Sequence, residues 1–162
     1  VGSHAGRYSQ ESETIAIGQN AAAYYQGYHG IAIGSYAGSC HQGWLTVAMG
    51  RSAGACSQGG SAVAIGHIAG QCHQNHAAVA IGTRAGRYGQ GEYAVALGAH
   101  AATCNQASRS IVINASGNYI QSAGVDTTVI QTLRTVTGGT APAGFSPVYY
   151  DPTSGELIVV TS

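Results

Sequence analysis

The side chains of this 162-residue chain that could do chemistry are thiols and imidazoles. Cys40-His41, Cys56 and Cys72-His73-Gln74-Asn75-His76 place soft ligands and nucleophiles close together, and such clusters are where metal sites, disulfides and reactive thiols are sought. Spacing decides between these readings. Written in rows of sixteen, Cys40, Cys56, Cys72 and Cys104 fall in one column, whose other members are Tyr8, Tyr24 and Tyr88. A position that alternates Cys with Tyr asks for a moderately apolar side chain, which a free thiol supplies. The column is expected to hold buried free thiols, with a disulfide between adjacent rows or a metal site as the alternatives. His41 and His73 stand two rows apart, about 9–10 Å at the spacing of neighbouring strands. Within one chain they cannot share an ion whose ligands must converge at about 2.0–2.3 Å, so neither a metal nor a cofactor is expected.

Catalytic constellations are equally thin. The carboxylates gather nowhere in the repeated part: Glu11 and Glu13 lie at one end and Glu92 near the other. His4, His29, His67 and His100 are scattered and read as surface residues. An aromatic group stands out instead. Tyr28 and Trp44 occupy consecutive rows of one column, and Tyr25 and His41 adjoin in another. Exposed Tyr and Trp faces can stack on a sugar ring, which makes Tyr25, Tyr28 and Trp44 the candidate ligand-binding residues. The plainer alternative is a ladder pair that stabilises adjacent strands.

These residues are positioned by a strict repeat. From Val1 to Asn114 the sixteen-residue rows align without an insertion. One column reads Gly18, Gly34, Gly50, Gly66, Gly82, Gly98 and then Asn114, and another is Gln at every row: Gln10, Gln26, Gln42, Gln58, Gln74, Gln90 and Gln106. Such a period marks a solenoid. Sixteen residues are too few for a helical hairpin, and the glycines would ruin a helix. Ile15-Ala16-Ile17 and its copies alternate as a short strand does, and Gln26-Gly27 and its copies are turn signals. Each row is two short strands and two tight turns. The fold expected is all-β, a parallel β-roll whose seven rows make a rod on the order of 34 Å long at strand spacing.

Column uniformity suggests which side is inside. The Val/Ile column beginning at Ile15 and its neighbour beginning at Ile17 are uniform and are expected to fill the roll. Ala16, Ala32, Ala48, Ala64, Ala80 and Ala96, between them, never turn polar, and are expected to face another copy of the chain as a trimer interface. The Gln column is expected to form a ladder of amides running from coil to coil.

Composition supports a covered, non-enzymatic surface. Charged residues make up 7% of the chain, net charge is zero, and Arg51 alone is formally charged between Thr14 and Thr83. A balance of that kind gives no electrostatic case for nucleic acid, and a soluble monomer normally carries more charge. No run of 18 apolar residues exists, so no membrane-spanning segment is expected. The Val1-Gly2 start carries neither a signal peptide nor an initiator Met, which leads one to expect a fragment or a processed piece. Two units are expected: the roll over 1–114, and a cap over 115–162 comprising an irregular segment, a linker over Thr137–Gly144 and a β-hairpin around Asp151-Pro152-Thr153-Ser154-Gly155. Asn114-Ala115-Ser116 is a formal glycosylation sequon, but Asn114 stands in place of a turn Gly and is read as structural.

Two resemblances follow from these rows. Ala62-Val63-Ala64-Ile65-Gly66 and Ala78-Val79-Ala80-Ile81-Gly82 resemble the head repeats of trimeric autotransporter adhesins, which are left-handed parallel β-rolls wound as trimers. More closely, three parts in order are similar to fibre-like repeat proteins of phages and large algal viruses: the row Ala-Ile-Gly-x-x-Ala-Gly-x-x-x-Gln, then Ser110-Ile111-Val112-Ile113-Asn114-Ala115-Ser116, then Pro147 to Glu156. The resemblance implies a virion-surface or extracellular fibre, assembled as a homotrimer, that bears load or binds a host glycan. A self-stacking filament is a variant of this reading. An ice-binding solenoid is a different class, and it would need an outward Thr ladder that no column supplies. Ile33-Gly34-Ser35-Tyr36-Ala37-Gly38 also matches the hexapeptide of left-handed β-helix acyltransferases; an enzyme of that kind would need a His at an inter-subunit cleft, for which His67 or His100 would be the candidate.

Overall fold

The computed structural model describes residues 1–131 and, beyond them, the strand backbones of 148–151 and 156–159. The chain divides into two units, Val1–Thr132 and Leu133–Ser162. The first is a parallel β-solenoid. One strand of each coil joins a six-stranded sheet: β1 (Tyr8–Gln10), β3 (Tyr24–Gln26), β5 (Cys40–Gln42), β7 (Cys56–Gln58), β9 (Cys72–Gln74) and β11 (Tyr88–Gln90). The other joins an eight-stranded sheet: β2 (Ile15–Ile17), β4 (Ile31–Ile33), β6 (Val47–Met49), β8 (Val63–Ile65), β10 (Val79–Ile81), β12 (Val95–Leu97), β13 (Ile111–Asn114) and β14 (Thr128–Gln131). Register follows the rows: Cys40 pairs Cys56, Cys56 pairs Cys72, and Ala48 pairs Ala64. The repeat read from the sequence is the coil.

Turns close because glycine occupies the positions only glycine can. Gly66 has φ +126, and a Cβ there would lie 2.8 Å from the backbone carbon and oxygen of Gly82 in the next coil. That close approach lets Gly66 N donate to Met49 O at 2.8 Å and Gly82 N to Ile65 O at 2.8 Å. Backbone amides are thus satisfied from coil to coil even at the corners.

The sidedness of the roll is the reverse of the expectation. Ala32, Ala48, Ala64, Ala80 and Ala96 are fully buried inside the coil, and Ala16 is half-buried in the end coil. They pack on Ala53, Ala69, Ala85 and Ala101 from the other side of the coil. The alanine stripe is therefore the lumen and not a contact between chains. Ile15, Ile17, Met49, Ile65, Ile81 and Ile111 instead lie on the outer face, each 36–44% exposed. The reason is width. A Cβ placed on Gly54 would sit 3.3 Å from the Ala48 methyl across the lumen, so a branched side chain has no room in the regular coils; Val112 is buried in this column only where the irregular last coil begins. In a three-residue strand one side chain must point in, and only the smallest fits.

The remaining space is taken by the Gln column. Gln26, Gln42, Gln74 and Gln90 are among the largest fully buried side chains. The expected amide ladder exists only in the middle, where Gln42 Nε2 donates to Gln58 Oε1 at 2.9 Å and Gln58 Nε2 to Gln74 Oε1 at 3.1 Å. The recurring bond runs across the coil instead. Gln58 Nε2 donates to Val47 O at 3.0 Å, Gln74 to Val63 O at 2.8 Å, Gln90 to Val79 O at 2.7 Å and Gln106 to Val95 O at 2.9 Å. Gln26, Gln58, Gln74 and Gln90 thereby brace the six-stranded sheet to the eight-stranded one.

The roll also runs past its expected end at 114. β14 pairs with β13 from Ile111↔Thr128 to Asn114↔Gln131, and Ala101 bridges Ile120. Residues 115–131 thus form a further, irregular coil stacked on the regular ones. Asn114 is buried, its amide donating to Ala99 O at 2.7 Å and Asn118 O at 2.6 Å, so the sequon asparagine is a structural bracket. Arg109 holds the same coil by two bonds to Asp126, at 2.6 and 3.0 Å. In the second unit β15 (Val148–Asp151) and β16 (Glu156–Val159) pair antiparallel as a hairpin; the linker over 137–144 and the turn at 152–155 lie outside the described residues. Among the described residues no helix is long and apolar enough to cross a membrane.

Candidate functional site

The outer face of the six-stranded sheet is shaped by its middle residues. Tyr25, His41, Ser57 and His73 all have left-handed φ, between 45° and 57°. A strand that kept its alternation would send the first and third residues to one side. The left-handed residue breaks that alternation, so Tyr24 and Tyr25 are both exposed while Gln26 turns fully inward. Each coil thereby presents two adjacent side chains outward, one from the Cys/Tyr column and one from the Tyr/His/Ser column.

In the first of these columns the thiols are free, but they line the outside rather than the core. Cys40, Cys56 and Cys72 are half-buried and Cys104 is exposed. Tyr8 and Tyr24 stack at 5.2 Å, and the guanidinium of Arg87 covers Tyr88 at 4.4 Å. Burial, together with a hydrogen bond to the Cys56 thiol, pushes the Cys72 thiol up to about 11. It is therefore a poor nucleophile near neutral pH. Among the described residues no group of three or more His, Cys, Asp or Glu is arranged to hold a metal ion.

The candidate ligand residues are placed unequally. Tyr25 lies beside His41, with ring centroids 6.2 Å apart. Tyr28 and Trp44 are both 53% exposed, yet they do not form the stacked pair that consecutive rows suggest. The Glu11 carboxylate near the Tyr28 hydroxyl raises the phenol above its usual range. Trp44 leans the other way, over Gly60, to reach His76 at 6.0 Å, and His76 meets Tyr93 edge-on at 5.7 Å. The indole, His76 and Tyr93 form one continuous aromatic edge along the corner of the roll.

Beside that edge lies a groove of about 380 Å³, lined by Tyr25, His41, Ser57, Gly59, His73 and Asn75 among others. From the sequence His41 is weighed both beside Tyr25 and, with His73, as a metal ligand, while Ser57 is given no role. The signal available was the short Ser57 between the two histidines of its column. Of the other histidines, His29 pairs with Glu13 at 3.0 Å, His67 meets Arg51 at 3.3 Å and His100 packs edge-on against Tyr119 at 4.5 Å. Of the two acyltransferase candidates, His67 meets the guanidinium of Arg51 and His100 the ring of Tyr119, and among the described residues neither imidazole is paired with a carboxylate. What the face offers is aromatic and imidazole surface with neutral polar edges, without an acid–base pair. No family model, curated protein or solved structure matches the chain.

Proposed function

We propose that this chain is the structural segment of a homotrimeric surface fibre or adhesin, on a virion or another extracellular surface, and that its aromatic edge binds host glycans. One observation carries the reading: the eight-stranded sheet leaves two columns of Ile, Val, Leu and Met on its outer face, without a charged residue in either column. A lumen filled by alanines buries little apolar surface, at roughly 25 cal/mol per Å². Burial of the outer columns between copies supplies the rest. Because both columns repeat at every coil, identical chains can pack in register along the length of the roll. The opposite sheet, with Tyr25, and the corner that carries Tyr28 and Trp44 are then free for a ligand.

Native mass by light scattering tests the assembly. Three chains per particle are expected, and the paired substitution Val63→Glu with Val79→Glu should reduce the particle to one chain with its β-sheet circular dichroism retained. A monomeric parent protein overturns the fibre reading.

A further inference from the structure

The groove on the six-stranded sheet lies where a small residue stands between two rings. The column reads Ser9, Tyr25, His41, Ser57, His73, Gly89 and Asn105, all left-handed, and Ser57 separates the imidazole-bearing coils of His41 and His73. His41 and His73 thus stand two coils apart, about 9–10 Å at strand spacing. The neighbouring corner column contains the same interruption and shows the contrast. There Gly60 separates Trp44 from His76, and the indole folds across the glycine so closely that a Cβ on Gly60 would come within 2.6 Å of its Nε1. The chain fills that gap with its own side chain. At Ser57 it does not: His41 pairs with Tyr25, on the far side from the gap, and the space remains as the groove.

The geometry points to a slot for a single neutral pyranose ring, held between the imidazoles of His41 and His73 above Ser57. Thickness selects the ring. A flat aromatic ring touching both imidazoles needs them about 7–8 Å apart, two carbon contacts of 3.5–4.0 Å each. The wider coil spacing suits a puckered chair, whose C–H faces meet the two imidazoles. Its hydroxyls find polar groups at the edges. The Ser57 hydroxyl and the Asn75 amide make no hydrogen bond among the described residues. Charge selects against anionic sugars, because Arg51 is the only formally charged residue between Thr14 and Thr83. The slot rests on the glycan-binding part of the proposed function and moves its centre from Tyr28 and Trp44 to His41, Ser57 and His73.

The test uses the full chain in its native assembly and four neutral probes: the methyl glycosides of glucose, galactose, mannose and N-acetylglucosamine. Imidazole C–H resonances of His41 and His73 and the Trp44 indole N–H are followed by NMR. At least one probe should shift both imidazoles together and leave Trp44 in place. Ser57→His, whose left-handed backbone already carries histidine at His41 and His73, should weaken that binding at least tenfold with native mass unchanged. If a probe shifts Trp44 alone, or binds Ser57→His as well as the parent, the slot is wrong while glycan binding stands. If none of the four shifts either imidazole, the slot falls, and a wider glycan panel on the same protein decides the adhesin reading separately.

Discussion

Two glycines in the same coil carry different burdens. Gly70 has φ +49, and a Cβ there meets the flexible amide of Gln74 at 2.6 Å. Ala22 and Ala102 occupy the equivalent position elsewhere with φ 45, so the coil can absorb a methyl. Gly66 has φ +126 and faces the backbone of Gly82, which has no flexible end to move. Gly70→Ala should therefore cost about 1–2 kcal/mol and Gly66→Ala about 3 kcal/mol, with thermal unfolding of each variant giving the order. The thiols are also separable residue by residue. Alkylation at pH 8 followed by mass spectrometry should modify the exposed Cys104 first and Cys72 last, since its thiol is held at about 11. The sign for stability follows. A thiol raised in the fold leaves folding unaffected below the ordinary 9.0 and weakens it as pH climbs from there through about 11.

At the scale of the element, strand and turn positions were legible because glycine and glutamine recur at fixed offsets, and every strand of the regular coils lies where the alternation puts it. Which face of β8 turns inward was not legible. Alternation in Val63-Ala64-Ile65 divides the side chains between two faces, but the width of the lumen decides which face is inside, and uniformity along a column says nothing of width. A clue was present in the small residues flanking each glutamine, such as Gly54 and Ala62 beside Gln58, which leave no space for isoleucine. Ala64→Glu and Val63→Glu accordingly separate two effects on neighbouring residues. Glutamate at 64 buries a charge in a space that holds only a methyl and should abolish the sheet signal in circular dichroism. Glutamate at 63 points outward and should leave that signal intact. The aromatic edge escaped for a related reason: a sixteen-residue offset places Tyr28 and Trp44 in the same turn of neighbouring coils, but the indole's direction is set by the space over Gly60.

At the scale of the whole molecule, each regular strand pairs only with those of its two neighbouring coils, Trp44 reaching one coil further to His76, and every neighbour presents the same columns. Sequence alone carried this organisation, and it lost the eighth coil because residues 115–131 reach the register of β14 without the sixteen-residue spacing. Between Ile31 and Leu97 any coil can be exchanged for the next. Excising residues 63–78 would join Ala62 directly to Val79, the residue that Val63 already pairs with. The variant should retain its sheet content and be shorter by about 4.8 Å, a change that small-angle scattering on the native assembly can resolve.

That interchangeability has a hereditary side. A coding sequence built of in-phase sixteen-codon rows misaligns with itself during replication or recombination, and each slip adds or removes whole coils without a frameshift or a misfolded junction. The reach of the rod then becomes a quantity that selection can adjust in single steps, and only coils that carry the groove or the corner tie that length to surface chemistry.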